Sequence, residues 1–198
     1  MTEADAKALL SAAGVAVPKG VQGASLAGLD VAGLTTPFVL KGLGFAHKTE
    51  AGAVRLGLAS LAGQAEMPGA AGYLVEEMVT GAVAEVLVGL RRDPVYGVSL
   101  TLGMGGVAAE LLADTVTLIL PVAGDEVWAG LRRLQLWPLL DGYRGRPKAD
   151  VGALVEMVLR MADLMTSDAT LDEIEINPVL LREQGAVAVD ALIRKVLP

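Results

Sequence analysis

The chain holds one histidine and no cysteine, so its chemistry falls to amines, guanidinium groups, carboxylates, amides, backbone groups and that single imidazole. Disulfides, thiolate nucleophiles and Cys-ligated zinc are excluded, and one histidine cannot build a histidine cluster. The most pointed set lies near the C-terminus. Glu175 and Asn177 are two apart in LDEIEINPVLL, which reads as a strand, so they share a face. A tight return through Glu183-Gln184-Gly185 into AVAVDALI would bring Asp190 beside them. Three converging oxygen ligands suit Mg2+, which takes one or two protein carboxylates, keeps several waters and bridges to phosphate oxygens. The competing reading is the polar side of an exposed hairpin, because Ile174, Ile176 and Val179 already supply an apolar side.

Lys41 closes the β-rich run PFVLKG and is followed by GLGFAHKTEAG, with three glycines in eleven residues. An ammonium at a strand end, facing loop amides, can grip a nucleotide phosphate, although the spacing is not a Walker A pattern and a solvated strand-end lysine fits it too. His47 lies in that loop beside Lys48, whose charge biases the imidazole toward neutrality and leaves a nitrogen lone pair able to attack phosphorus. A lone loop histidine can equally be incidental. The GMGG segment permits close backbone approach to an anion or simply a tight turn. Arg91, Arg92, Arg144 and Arg146 can pair with phosphate or solvate the surface.

The elements needed to position these groups can be read from periodicity. Thr2 and Asp5 fit a capping box; Ala6, Leu9, Leu10 and Ala13 keep helical spacing, and Gly14 marks the stop. AVRLGL and YLVEEMV read as strands, with room for at most one short helix between Gly57 and Gly72. Residues 84–93 alternate with period two, and VYGVSLTL and TVTLILPV extend a meander beyond the Asp93-Pro94 turn. Gly124–Leu134 begins a helix with two acids in its first turn. Val151, Leu154, Val155, Val158, Ala162 and Met165 form the stripe of a longer one. Grouped strands and helices make the class α+β.

At 198 residues the chain is long enough for one domain, or one with a small appendage, and 53% hydrophobic residues exclude disorder. A net charge of −7 offers no grip on a nucleic-acid backbone. No apolar run reaches the ~18 residues of a membrane span, and MTEADAKALL carries acids where a signal peptide carries bases. The expected setting is the cytoplasm, with neither nucleic acid nor membrane as partner.

In order along the chain, PFVLKGLGFAHKTEAGAV, EEMVTGAVAEVLVGLRRDPVYG, GMGGVAAELLADT, LLDGYRGRPKAD and EIEINPVLL followed by VAVDALI resemble the ATP-grasp domain of NDP-forming acyl-CoA synthetases. The HKTEAGAV loop, the RDPVYG turn, GYRG and INP carry the likeness jointly. It implies an ATP-grasp fold over 1–198, with two small α+β subdomains clamping a nucleotide, about 15–75 and about 76–198. It also implies ATP or ADP with Mg2+ as ligands, and phosphoryl transfer through phosphohistidine, coupled to interconversion of acyl-CoA with free acid and CoA.

Residue by residue, the likeness assigns Lys41 to the phosphates, the segment from Glu76 to Val79 to the adenine-side hinge, and Glu85 to the nucleotide-facing strand. Asn177 and Asp190 fall on the metal positions with Glu175 close by, and His47 on the histidine that relays the phosphoryl group. The segments GASLAGLDVAGLTT and ASLAGQAEMPGAAG are shorter than usual in the family, which makes this a compact version, and Ala53 stands where the loop usually has glycine. The sequence shows neither a CoA-binding nor a ligase domain. The expected partner is therefore an alpha-type subunit that carries both and brings CoA and acyl-CoA, in a hetero-oligomer. Two alternatives stay open: a degenerate ATP-grasp module that regulates or scaffolds, and a beta subunit of the succinyl-CoA-ligase type.

Overall fold

The computed structural model describes residues 1–45, 52–105 and 113–196. The chain divides into two compact units, residues 18–80 and a larger one formed by 3–17 with 81–198. Both are built on antiparallel sheets, and the expected α+β class is borne out.

The smaller unit is a four-stranded sheet. Its strands are β1 (Gly20–Gly23), β2 (Phe38–Leu43), β3 (Val54–Leu58) and β4 (Gly72–Glu77), in the order β1-β4-β2-β3. Alternation sends Phe38, Leu40, Tyr73 and Val75 to one face, where they pack with Ala53 and Met67 into the unit's own apolar cluster. The Tyr73 hydroxyl reaches that cluster satisfied, accepting from the Met67 N–H at 2.7 Å. The opposite face of the two central strands carries Val39, Lys41, Leu74 and Glu76. Between Gly57 and Gly72 the chain forms turns without a helix.

The larger unit is a six-stranded sheet: β5 (Ala84–Asp93), β6 (Gly97–Met104), β7 (Thr115–Ile119), β8 (Leu171–Leu181), β9 (Ala186–Ala188) and β10 (Ala191–Lys195). The order is β10-β8-β5-β6-β7, with β9 continuing the pairing along β8. The expected meander and terminal hairpin are both present, the second hairpin arm being split at Val189-Asp190. Helices α1 (Glu3–Ala12), α2 (Gly124–Leu131), α3 (Trp137–Leu140) and α4 (Val151–Ser167) complete it. Val86, Val88, Leu90, Leu171, Ile174, Ile176 and Val179 face the α4 stripe of Leu154, Val158, Met161 and Met165, all buried in one core.

Local chemistry explains the helix ends. After α1, the Val15 N–H donates to the Leu10 carbonyl and the Gly14 N–H to Ser11, a Schellman arrangement that needs the left-handed φ of +81° at Gly14. At the start of α2 the Ala123 N–H donates to Glu126 Oε2 at 2.7 Å. Asp150 caps α4 by accepting from the Ala153 N–H, and its second oxygen accepts from the Gly185 N–H in the β8–β9 turn. These two amides hold the Asp150 carboxyl below the ordinary carboxylate range.

Candidate functional site

In the smaller unit the chemistry centres on Lys41. The expectation that Lys41 closes its strand is corrected: β2 runs on through Leu43, because Lys41 is paired on both sides, with Val54 of β3 and Leu74 of β4. Glu76 lies opposite Val39, one diagonal step away on the same face, and its Oε2 is 2.9 Å from Lys41 Nζ. Both side chains are buried, at 6% and 2% exposure. Gly20, opposite Glu76 on β1, makes the arrangement possible, since a Cβ there would stand 2.8 Å from Glu76 Cγ and 2.8 Å from the Val75 carbonyl oxygen. Val79 follows β4 and is half-buried. The segment leading to it is tied down by the Glu77 N–H on the Lys19 carbonyl and the Met78 N–H on Pro37. Glu77 Oε1 in turn accepts from the Thr35 N–H. His47 and most of its loop lie outside the described residues.

In the larger unit the site is built on the sheet face turned away from the α4 core. Val88 pairs with Ile176 but Val86 with Val179, so one intervening residue of β5 faces two of β8, Asn177 and Pro178. That bulge shifts the alternation by one position. It lets Ile174, Ile176 and Val179 all point into the core, although strict period two would have sent Val179 outward. On the other side of β8, Leu192 is paired with Glu175 and Ala191 with Ile176, and the Asn177 N–H donates to the Asp190 carbonyl at 3.3 Å. The fold therefore brings Glu175, Asn177 and Asp190 to neighbouring positions on one hairpin. Glu85 lies on the outward side of β5, in the same face as Gly89, the register partner of Glu175. Lys41, Glu76 and Val79 belong to the smaller unit, and Glu85, Glu175, Asn177 and Asp190 to the larger.

The electrostatics of the hairpin favour a cation. Burial pushes the Glu175 carboxyl above its ordinary range, Glu173 and Asp190 push it further, and Arg194 only partly offsets them. Arg194 is occupied at 3.1 Å by Glu173. Two carboxylates and an amide, all oxygen donors, fit Mg2+ rather than a softer metal. Among the described residues no cluster of three or more His, Asp or Glu side chains forms an all-protein cage.

Several residues left open by the sequence now have a place. Arg92 donates to the carbonyls of Met165 and Leu171, joining the end of α4 to the start of β8. Arg91, Arg144 and Arg146 are exposed. Gly105 approaches the chain's own backbone: its N–H donates to the Glu85 carbonyl at 2.7 Å, and a Cβ would meet Glu85 C at 2.9 Å. Periodicity missed Gly20, whose role exists only across strands. It also gave no sign of the burial of Glu3 and Lys7 on α1.

The chain matches the ATP-grasp domain family over residues 1–194. It is 33% identical to a trans-feruloyl-CoA synthase from an unidentified prokaryote, over 96% of this chain and 30% of that protein. To the beta subunit of acetate–CoA ligase [ADP-forming] I from Pyrococcus furiosus it is 29% identical, over 73% of this chain and 68% of the subunit. The chain thus spans under a third of the larger relative's length. Among solved structures it is similar to the acetyl-coenzyme A synthetase 1 of Ca. Korarchaeum cryptofilum in complex with coenzyme A and Ca-AMPCP. That match has a TM-score of 0.88 at 25% identity and covers 99% of this chain and 93% of that one. Another complex of that synthetase holds coenzyme A and Mg-AMPPCP, with its phosphohistidine segment pointing towards the nucleotide binding site.

Proposed function

The chain belongs to the ATP-grasp family, and from that premise we propose that it is the nucleotide-binding part of an ADP-forming acyl-CoA synthetase, an acid–thiol ligase. The observation that carries the reading is the hairpin beside the β8 bulge that sets Asn177 against Asp190 and near Glu175, in a chain that aligns along almost its full length with a synthetase solved in complex with nucleotide analogues. Glu175, Asn177 and Asp190 would hold Mg2+, which when bound neutralises charge on the phosphates. Lys41 would bind phosphate oxygens, its ammonium held in place by Glu76 until they arrive. The Glu76–Val79 segment would line the adenine side, and Glu85 would face the nucleotide.

His47, in the segment HKTEAG, would take the phosphoryl group on an imidazole nitrogen. A nitrogen–phosphorus bond forms as the bond to the ADP oxygen breaks, and the group then passes to a histidine on the ligase domain. In-line transfer needs reacting atoms ~3 to 3.5 Å apart, so a carrier must cover the distance between nucleotide and acyl sites. CoA-binding and ligase domains would come from an alpha-type subunit or from further chain. The named beta subunit in Pyrococcus furiosus supports a hetero-oligomer. The setting would be the cytoplasm, where nucleotides and CoA are held.

Calorimetric titration with ADP, with and without Mg2+, tests the binding half of the reading. Binding should be Mg2+-dependent and stronger than that of adenosine, and Asp190→Ala should abolish most of the metal dependence. Unchanged dependence in that variant sinks the metal assignment. For the relay, His47→Ala should bind Mg2+·ADP normally yet fail to pass label from radiolabelled ATP to the partner histidine. Full transfer by this variant would exclude the role.

A further inference from the structure

The face of α1 that turns into the protein is not uniformly apolar. Its buried residues are Glu3, Ala6, Lys7 and Leu10, the spacing of a core stripe, with a carboxylate and an ammonium at two of the four places. Glu3 is 7% and Lys7 4% exposed, and Lys7 Nζ lies 2.9 Å from Glu3 Oε1. Burying an ion pair of this kind is a weak source of stability, because desolvation offsets the attraction, so its placement calls for another explanation.

The second contact of Lys7 supplies one. Its ammonium donates to the Val189 carbonyl at 2.8 Å. Val189 lies in the break between β9 and β10, and its own N–H reaches across to the Pro178 carbonyl at 3.2 Å. The next residue is Asp190, whose carbonyl accepts from the Asn177 N–H. Asn177 and Asp190 are thus joined by a two-rung bridge beside the bulge, and a buried lysine, ion-paired to Glu3 of its own helix, donates to the Val189 carbonyl from behind. We infer that Lys7, oriented by Glu3, is a positioning residue that sets the Val189-Asp190 backbone and thereby the geometry of the metal-binding hairpin. This rests on the metal reading of Asn177 and Asp190. Metal sites commonly depend on such outer groups, whose loss costs 10–100-fold in affinity.

Removing Lys7 alone would strand a buried carboxylate, so the test uses the charge-neutral pair Glu3→Gln/Lys7→Met, which keeps the volume and removes both charges together. Two readouts are taken on the full chain. In the metal-free state, amide exchange at Val189 and Asn177 should accelerate about tenfold, with the β5–β6 amides unchanged. In calorimetry, metal-free ADP affinity and Tm should stay near wild type, while the Mg2+ concentration needed for tight ADP binding should rise about tenfold. Because the chain has no cysteine, Lys7→Cys followed by aminoethylation in the unfolded state and refolding places an ammonium at this one position. It should restore both values.

Unaltered exchange at Val189 and Asn177, or an unaltered Mg2+ requirement, overturns the inference. So does a neutral pair that fails to fold, since the contact would then be structural. If wild-type chain shows no Mg2+ dependence at all, the metal reading fails, and the exchange measurement still decides whether Lys7 sets the backbone.

Discussion

A lysine and a glutamate joined at 2.9 Å on a buried sheet face make Lys41 more than a tethered charge. Lys41→Met removes the cation beside a carboxylate only 2% exposed, and breaking such a pair costs about 3 kcal/mol. The strand will therefore not be indifferent to the change, as a solvated lysine would have allowed. Urea unfolding should show that loss for Lys41→Met and a clearly smaller one for Lys41→Met/Glu76→Gln; equal stability of Lys41→Met and wild type would refute the coupling. Glu175 presents the opposite sign. Its folded carboxyl titrates above its ordinary range, first because of burial and then because of Glu173. The folded state therefore binds the proton more tightly than the unfolded one. The associated stability is full below the unfolded value of 4.5 and is lost as pH rises through the raised folded one. Without Mg2+, Glu175→Gln should raise Tm at pH 7 and not at pH 4, and added Mg2+ should narrow the difference. A variant less stable than wild type at pH 7 in metal-free buffer would contradict this.

At the scale of elements, the alternation of residues 84–93 gave β5 its exact bounds, and the three- and four-residue spacing of Val151 to Met165 gave α4 its buried face. These patterns are legible because each repeats a contact that the element makes with a single core. The β8 bulge was legible only as a mismatch: Ile174, Ile176 and Val179 cannot share a face of a regular strand, and the extra residue that reconciles them is defined by β5, far away in sequence. The same holds for Gly105. The GMGG segment read as a turn or an anion cradle, and its third residue instead meets the Glu85 backbone, which no local pattern reports. Gly105→Ala should cost about 1–3 kcal/mol, because a Cβ 2.9 Å from Glu85 C and 3.1 Å from Val86 N can be relieved only by moving β5. Gly97→Ala, where nothing lies within 4 Å, would carry only the strain of its φ of +85°. Chemical denaturation of the two variants, with Glu85 solvent access followed by amide exchange at Val86, separates crowding from strain. Unperturbed exchange at Val86 in Gly105→Ala would rule out the crowding.

At the scale of the whole molecule, the assigned residues within the described part lie on strands or directly beside them, and the assignments divide between two units with separate apolar clusters. The sequence disclosed this division poorly, because no linker of distinct composition marks either chain crossing, at Val17-Pro18 and at Thr80-Gly81. Ligand linkage tests whether the two sets of residues serve one ligand. A ligand that binds only the native state stabilises it by RT ln(1 + [L]/Kd), about 2.7 kcal/mol at a hundredfold excess over Kd. For a chain of this size that is roughly 5–10 °C in Tm. Mg2+·ADP should produce a shift of that order, and adenosine, which lacks the phosphates, much less. Substitutions in either unit should reduce it at fixed ligand concentration, Asp190→Ala in the larger and Lys41→Met/Glu76→Gln in the smaller, each compared with its own ligand-free Tm. If Asp190→Ala removes the shift while the neutral Lys41–Glu76 pair leaves it whole, the phosphates are held by the larger unit alone and Lys41 is a structural ion pair. If both reduce it, one nucleotide draws on both units.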